Sequence, residues 1–245
     1  MMAALPVSRR GVVGFGIVTL AMLACLVGLG VWQLQRRAQK HVLIAALTER
    51  LAAAPVDLPP PDEWAALTPE HDEFRRVMVR AQPQARPHAF VFTSGSPLRP
   101  DVSGLGLWEF APMRTASGQT VVVNLGFVPD GRVAPDQPDS EPVTLTGYLR
   151  FPEQVTAFTP IPDLVRRTWY LRDSAAMAQT LEWGEVAPFY VDLEAPSPPS
   201  GLPKPGPLQV RLRDQHLQYA ITWFGLAAVV AAAFGFWVAG QRRAQ

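Results

Sequence analysis

The sequence predicts two transmembrane α-helices, one near each end, flanking one external β-rich α+β domain with a barrel-like antiparallel sheet. Three observations lead there. Gly11–Trp32 and Tyr219–Gly240 each lack any charged residue. The stretch between them alternates short strand-like runs with clusters of proline. Its apolar periodicity is that of strands almost everywhere except in the first residues after Trp32.

The two apolar runs come first. A bilayer core takes about 20 helical residues, and in hydrocarbon only a helix satisfies every backbone group of a single crossing segment. Residues 11–32 and 217–240 are therefore expected to span. Trp32 lies at the end of the first, and Tyr219, Trp223 and Trp237 lie toward the ends of the second, where amphipathic rings favour the membrane surface. Ser8-Arg9-Arg10 is similar to an export signal and Cys25 to a lipoprotein cysteine. The apolar run continues through Val31 with no small-residue cleavage site, so the segment is expected to stay attached. Cys25 is the only cysteine, so the chain can close no internal disulfide and build no cysteine metal cluster.

Charge sets the orientation. Arg9 and Arg10 precede the first span and Arg242 and Arg243 follow the second. Positive tails favour the cytoplasm, so both termini are expected there, with the slightly acidic intervening domain outside. Arg36, Arg37 and Lys40 argue the other way, but the intervening region is far longer than the loops to which the rule applies. The net charge of +1 gives no reason to expect a nucleic-acid partner.

Residues 33–54 read as a helical extension: they hold no glycine, proline only after Ala54, and Leu43, Ile44, Leu47 and Leu51 at helical spacing. The domain proper is expected over 55–210. Its strands are expected at 74–81, 89–93, 107–113, 120–128, 143–151 and 189–193, with Ser117-Gly118 as a hairpin turn. Asp173 is a plausible cap for a helix over 174–181. Proline marks connectors at 55–69, 83–100, 129–142 and 196–207, the last as a semi-rigid tether into the second span. Gly126 and Gly147 sit inside strand-like sequence, where glycine marks a bulge or a close backbone approach.

Catalytic constellations are scarce. His41, His71, His88 and His216 show no zinc spacing, and there is no nucleophile motif, so no enzymatic activity is expected. His216 stands apart, three residues before Tyr219. On a helix His216, Tyr219, Ala220, Trp223 and Ala227 share a face. Imidazole is a good ligand for haem iron and flanking rings suit a porphyrin; an interfacial histidine bonded to lipid or water fits the same pattern. Trp32, Arg36 and Lys40 share another face just past the first span. They suit interfacial anchoring or the pairing of cations with carboxylates.

Taken together these residues resemble a known family. Gly30-Val31-Trp32-Gln33 with Arg36 and Lys40 is similar to the G-x-W-Q-x-x-R-x-x-x-K signature of the Surfeit locus protein 1 family. His216 to Phe224 (HLQYAITWF) resembles the signature that opens that family's second span. Val123 to Pro129, with Asn124 and Gly126, is similar to its V-N-R-G-W-V-P strand; Trp169 to Asp173 resembles its W-Y-x-x-D segment, and Gly147-Tyr148 its glycine–tyrosine element. Leu125, Phe127 and Asp214-Gln215 depart from the pattern, replacing an arginine, a tryptophan and two asparagines.

The resemblance implies an assembly factor for haem–copper cytochrome c oxidase in a bacterial inner membrane. Such a factor binds haem a transiently and helps deliver it to the catalytic subunit. It implies His216 as the iron ligand beside Tyr219 and Trp223, and Trp32, Gln33, Arg36 and Lys40 as contacts for propionates or for a partner. Expected partners are oxidase subunit I and haem a synthase, in the lipid bilayer. The alternative is a membrane-anchored external ligand-binding or scaffold protein without haem chemistry. A sensor would need an output domain, for which the tails are expected to be too short.

Overall fold

The computed structural model describes residues 9–132, 141–210 and 214–243, and the side chains of 11–132, 141–210 and 214–241. Arg9, Arg10, Arg242 and Arg243, on which the orientation rests, lie outside the described side chains, and most of the proline cluster at 129–142 lies outside the described residues. The chain divides into two compact units, one made of its two ends and one of residues 46–211.

The first unit is built from α4 (His216–Arg243) and the part of α1 (Arg9–Ala52) up to Ala45; the last turns of α1, from Ala46, belong to the second unit. Gly11–Ala52 and His216–Gln241 are long and apolar enough to cross a membrane, with mean hydropathies of 2.5 and 1.9 over their most apolar windows. Val13, Ile17, Val18 and Leu20 on α1, and Ile221, Val229 and Phe236 on α4, are 59–81% exposed. Apolar side chains bare on this scale call for lipid, so the protein is membrane-anchored. The helices meet along a narrow seam. Phe15 lies edge-on to Trp237 at 4.8 Å. Gly30 is packed against Phe224 so closely that a Cβ there would lie 2.6 Å from the ring. A small residue at such a crossing lets helices approach where lipid supplies no hydrophobic drive.

The second unit is a sheet of eight strands: β1 (Val56–Asp57), β2 (Arg76–Pro83), β3 (Ala89–Ser96), β4 (Arg99–Thr115), β5 (Thr120–Pro129), β6 (Val143–Arg150), β7 (Thr168–Trp169) and β8 (Val186–Ala195). Their order is β1-β2-β6-β8-β5-β4-β3-β7, and β2 also pairs with β4 over Ala81–Pro83. The pairings among β2, β6, β8, β5 and β4 therefore return to their start. The sheet is not purely antiparallel. β5 and β8 run parallel, Val123 opposite Val191 and Asn124 opposite Asp192, and the short β1 and β7 are parallel to β2 and β3. β5 is buried from Thr120 to Val128, as a central strand covered on both faces must be. Two apolar cores result, one around Val77, Val121, Leu149, Phe189 and Val191, the other around Phe110, Phe127, Met177 and Tyr190. Leu47 and Leu51, from the last turns of α1, pack with Phe74, Tyr148 and Leu208 in a third.

The proline-rich connectors depart from their simple reading. Residues 55–69 are not merely extended: Pro61 opens a 3₁₀ turn (Pro61–Ala66) and Pro69 opens α2 (Pro69–Asp72), proline being pre-shaped for a first helical position. The stretch 196–207 lies partly against the sheet. Pro203, Pro205 and Gly206 are buried, and Lys204 exchanges backbone hydrogen bonds with Phe127 at 2.8 and 3.0 Å. α3 (Ser174–Thr180) is capped by Asp173, whose carboxylate accepts from the N–H of Ala176 at 3.0 Å, satisfying a first-turn donor.

Gly126 and Gly147 mark irregular register. Glu109 faces Gly126 while Phe110 faces Asn124, so Leu125 is extra. Gly147 faces Leu193 while Thr146 faces Ala195, so Glu194 is extra. A Cβ on Gly126 (φ 130°) would meet the Lys204 carbonyl carbon at 2.3 Å, and one on Gly147 the Asp192 oxygen at 2.4 Å. Gly118, also left-handed at φ 84°, has open space around it. The two positions separate strain from collision. Gly118→Ala is expected to cost about 1 kcal/mol, whereas Gly126→Val should cost about 3 kcal/mol or more and lower abundance. Thermal melting of the purified variants checks the contrast; equal melting temperatures would refute it.

Candidate functional site

The site is built where α1 and α4 pair near the start of α4. His216 is the first residue of α4 and is half-buried. Its Nδ1 lies 2.8 Å from Oε1 of Gln33. An amide oxygen only accepts, so the ring donates through Nδ1–H, and its Nε2 carries the lone pair. No described residue bonds to Nε2.

Asp214 completes the junction. One carboxylate oxygen accepts the backbone N–H of His216 at 3.0 Å, a donor that a helix start leaves without an internal partner. The other accepts from Nε of Arg37 at 3.1 Å and sits 2.6 Å from Nε2 of His41. Gln33, Arg37 and His41 recur every four residues and so share one face of α1, the face that also carries Gly30. Hydrogen bonding to His41 first, then to the His216 amide and to Arg37, holds the Asp214 carboxyl down at about 2. Because the folded value is depressed, the tie contributes fully above about 4 and is lost as pH falls toward 2.

The other expected site residues are placed as follows. Ala220 and Ala227 are buried, Trp223 is half-buried, and Tyr219 is 51% exposed, so the face beginning at His216 is divided between the seam and its flank. Trp32 is 52% exposed. Arg36 is exposed and, among the described residues, donates only to Gln39, at 3.3 Å, and Lys40 is half-buried. It is Gln33, one position from Trp32, that meets α4. Arg37, His41 and Asp214 are not among the site residues expected from sequence; counting helical turns from Gln33 finds the first two. His88 lies elsewhere, in the sheet unit, 2.6 Å from the buried Glu109. Among the described residues no three His, Cys, Asp or Glu side chains come together as a metal site.

The motif residues of the sheet unit form a separate network. Asn124 is buried, donates to Asp192 at 2.6 Å, and accepts the N–H of Gly126 at 3.2 Å. Arg150 donates to Asp192 at 2.8 Å and to Glu73 at 2.6 Å. Burial opposes its charge, but Asp192 and Glu73 outweigh burial, and its pKa is raised. Tyr148 is buried and its hydroxyl pushed up to about 12, chiefly by desolvation. Pro129 pairs with Gly106 and Trp169 with Val91. These positions hold strands together.

His41→Ala should return the Asp214 carboxyl toward its ordinary 3.8, because His41 is the largest cause of the depression. A pH titration of the Asp214 carboxyl carbon by NMR measures this; a midpoint unchanged near 2 would show that Arg37 and the backbone suffice.

Comparison with known proteins follows the same geometry. The chain is similar to Surfeit locus protein 1 of Homo sapiens (35% identical over 221 residues, 83% of this chain and 71% of the relative) and of Rattus norvegicus (35% over 219 residues, 83% and 69%). It is also similar to that of Takifugu rubripes (32% over 222 residues, 83% and 88%). The SURF1 family matches residues 20–228, which include Gly30, Gln33, His216 and Phe224 and the whole sheet unit. The chain belongs to the SURF1 family.

Proposed function

We propose that this protein is an assembly factor for haem–copper cytochrome c oxidase, which binds haem a as cargo and assists its insertion into subunit I. The observation that carries the proposal is the His216–Gln33 hydrogen bond. A metal-binding imidazole needs its second nitrogen held by a hydrogen bond that fixes tautomer and ring direction. Gln33 holds Nδ1, and Nε2 is the atom left for iron. Tyr219 and Trp223, about one and two turns into α4, offer rings to a porphyrin edge. Haem supplies an iron that takes an imidazole nitrogen; the protein need only hold it and let it go, so no enzymatic step is assigned. In this reading the protein sits in a bacterial inner membrane with both termini cytoplasmic and the sheet unit periplasmic, and haem a synthase is a further partner. The ring of pairings among β2, β6, β8, β5 and β4 is read as a small barrel.

A scaffold role without haem chemistry is the second reading. It is favoured by the segment after β6, where Val155, Phe158, Ile161 and Val165 are 72–95% exposed; apolar side chains so bare suit a partner's surface.

Two experiments decide between them. In protein purified from cells that make haem a, His216→Ala should abolish the Soret band. Gln33→Leu should weaken haem binding by about 10–100-fold, the usual effect of losing such a supporting partner. Unchanged occupancy in His216→Ala would favour the scaffold. Separately, among the described residues Arg36 donates only to Gln39, which leaves it available to a propionate or to the oxidase. Arg36→Glu should lower haem occupancy or co-purification with subunit I while membrane insertion is unaffected; full oxidase assembly in that variant would remove Arg36 from the role.

A further inference from the structure

A narrow pocket in the sheet unit has a donor-rich wall. It is lined by Arg99, Trp108, Asn124, Arg150, Arg172 and Asp192, with Gly206 and Leu208 among its apolar and backbone sides. Its side-chain acceptors are already engaged. Both oxygens of Asp192 accept, one from Asn124 and one from Arg150, and the oxygen of Asn124 accepts from Gly126. Its donors are in surplus. Trp108 is only 3% exposed, yet its indole N–H has no partner among the described residues. Arg172 is half-buried and its guanidinium makes no ion pair or hydrogen bond there; it lies 5.3 Å from the Trp108 ring centroid. Arg99 lies 5.7 Å from the same ring and engages Asp101 through Nε and Nη2.

An indole N–H left unpaired in the interior costs free energy, and a guanidinium stacked on a ring without a carboxylate is in the state in which arginine recognises planar oxyanions. Arg99 and Arg150 already hold their own carboxylates and are fixed by them. Arg172 has none. We propose that this pocket binds a carboxylate group, one oxygen accepting from Trp108 Nε1–H and the group facing the Arg172 guanidinium. A carboxylate presents one planar pair of acceptor oxygens, which matches one indole N–H and one guanidinium. Its source is either a small free acid or the side chain of an acidic residue on another protein. The site is independent of His216 and of the haem reading.

The test uses the full-length protein in nanodiscs with ¹⁵N-labelled tryptophan, the Trp108 indole signal being assigned by its loss in Trp108→Phe. Titration with formate, acetate, phosphate or a blocked Gly-Asp-Gly peptide is run at constant ionic strength against chloride. The expected result is a saturable shift of the Trp108 signal with formate and acetate, weakened at least about tenfold (~1.4 kcal/mol) in Arg172→Gln. Tighter binding of the peptide than of acetate would identify a protein side chain as the source, and the reverse a free acid. The indole signal of Arg172→Gln, if still dispersed, shows that the variant is folded, and Arg172→Lys, which keeps the charge, should retain weaker binding. A shift that does not saturate, one equal in Arg172→Gln, or a response to phosphate alone would overturn the proposal.

Discussion

The Asp192 carboxylate is the interaction on which the sheet unit depends. Its two oxygens serve two different strands: one accepts from Asn124 on the parallel neighbour β5, the other from Arg150 on the antiparallel neighbour β6. All three residues are buried. A buried charge is tolerable only when paired and fully hydrogen-bonded, so Arg150 also reaches Glu73, and Glu73 accepts the Phe151 N–H with its second oxygen. Removing Arg150 would leave the buried Asp192 carboxylate without its cation. The bulge at Gly126 belongs to the same device. It turns the Gly126 amide onto the Asn124 oxygen and makes room for the Lys204 backbone. This brings residues 203–206 against the sheet, where the Arg99 guanidinium donates to the Pro205 carbonyl at 3.1 Å.

In the helical unit the organising constraint is different. Lipid is as apolar as the helices, so burial of apolar surface does not bring them together; close packing and polar links must. The seam is graded accordingly. Aromatic contacts between Phe15, Phe234 and Trp237 lie at one end, and the Gly30–Phe224 approach lies in the middle. The polar ties of Gln33, Arg37 and His41 to His216 and Asp214 lie at the other end. Thus the two sequence signatures at 30–40 and 216–224 are two halves of one contact, glycine to phenylalanine and glutamine to histidine.

What the sequence revealed follows physical range. The apolar runs were legible because a bilayer imposes a length and a composition on any helix that crosses it. The Asp173 cap was legible because it acts over three residues. The glycines at 126 and 147 were legible as positions of close approach, but not their neighbours: Lys204 and Asp192 are distant in the chain. The parallel pairing of β5 with β8 escaped notice, although the unbroken run Thr120-Val121-Val122-Val123 is the composition of a strand covered on both faces rather than one that alternates. At the helix junction the residue types drew attention to Trp32, Arg36 and Lys40, because tryptophan and cations have familiar interfacial roles. Which face of α1 meets α4 is a long-range fact, and adjacent positions differ by about 100° around the axis, enough to exchange Arg36 for Arg37.

Under the proposed reading, the choice of partner for the His216 ring has a consequence for release. A carboxylate behind a metal-binding imidazole raises its basicity and strengthens the bond to the metal. A carboxylate is at hand in Asp214, two residues away, yet it is turned to Arg37, His41 and the His216 amide. The ring is left with the neutral oxygen of Gln33. That fixes the direction of Nε2 without enriching it, so the ligand is oriented but weak. A resident haem protein gains from a strong bond; a protein that must surrender its cargo gains from a well-aimed weak one. The arrangement of Arg37 and His41 is then part of the binding chemistry, because they keep the Asp214 charge off the ring.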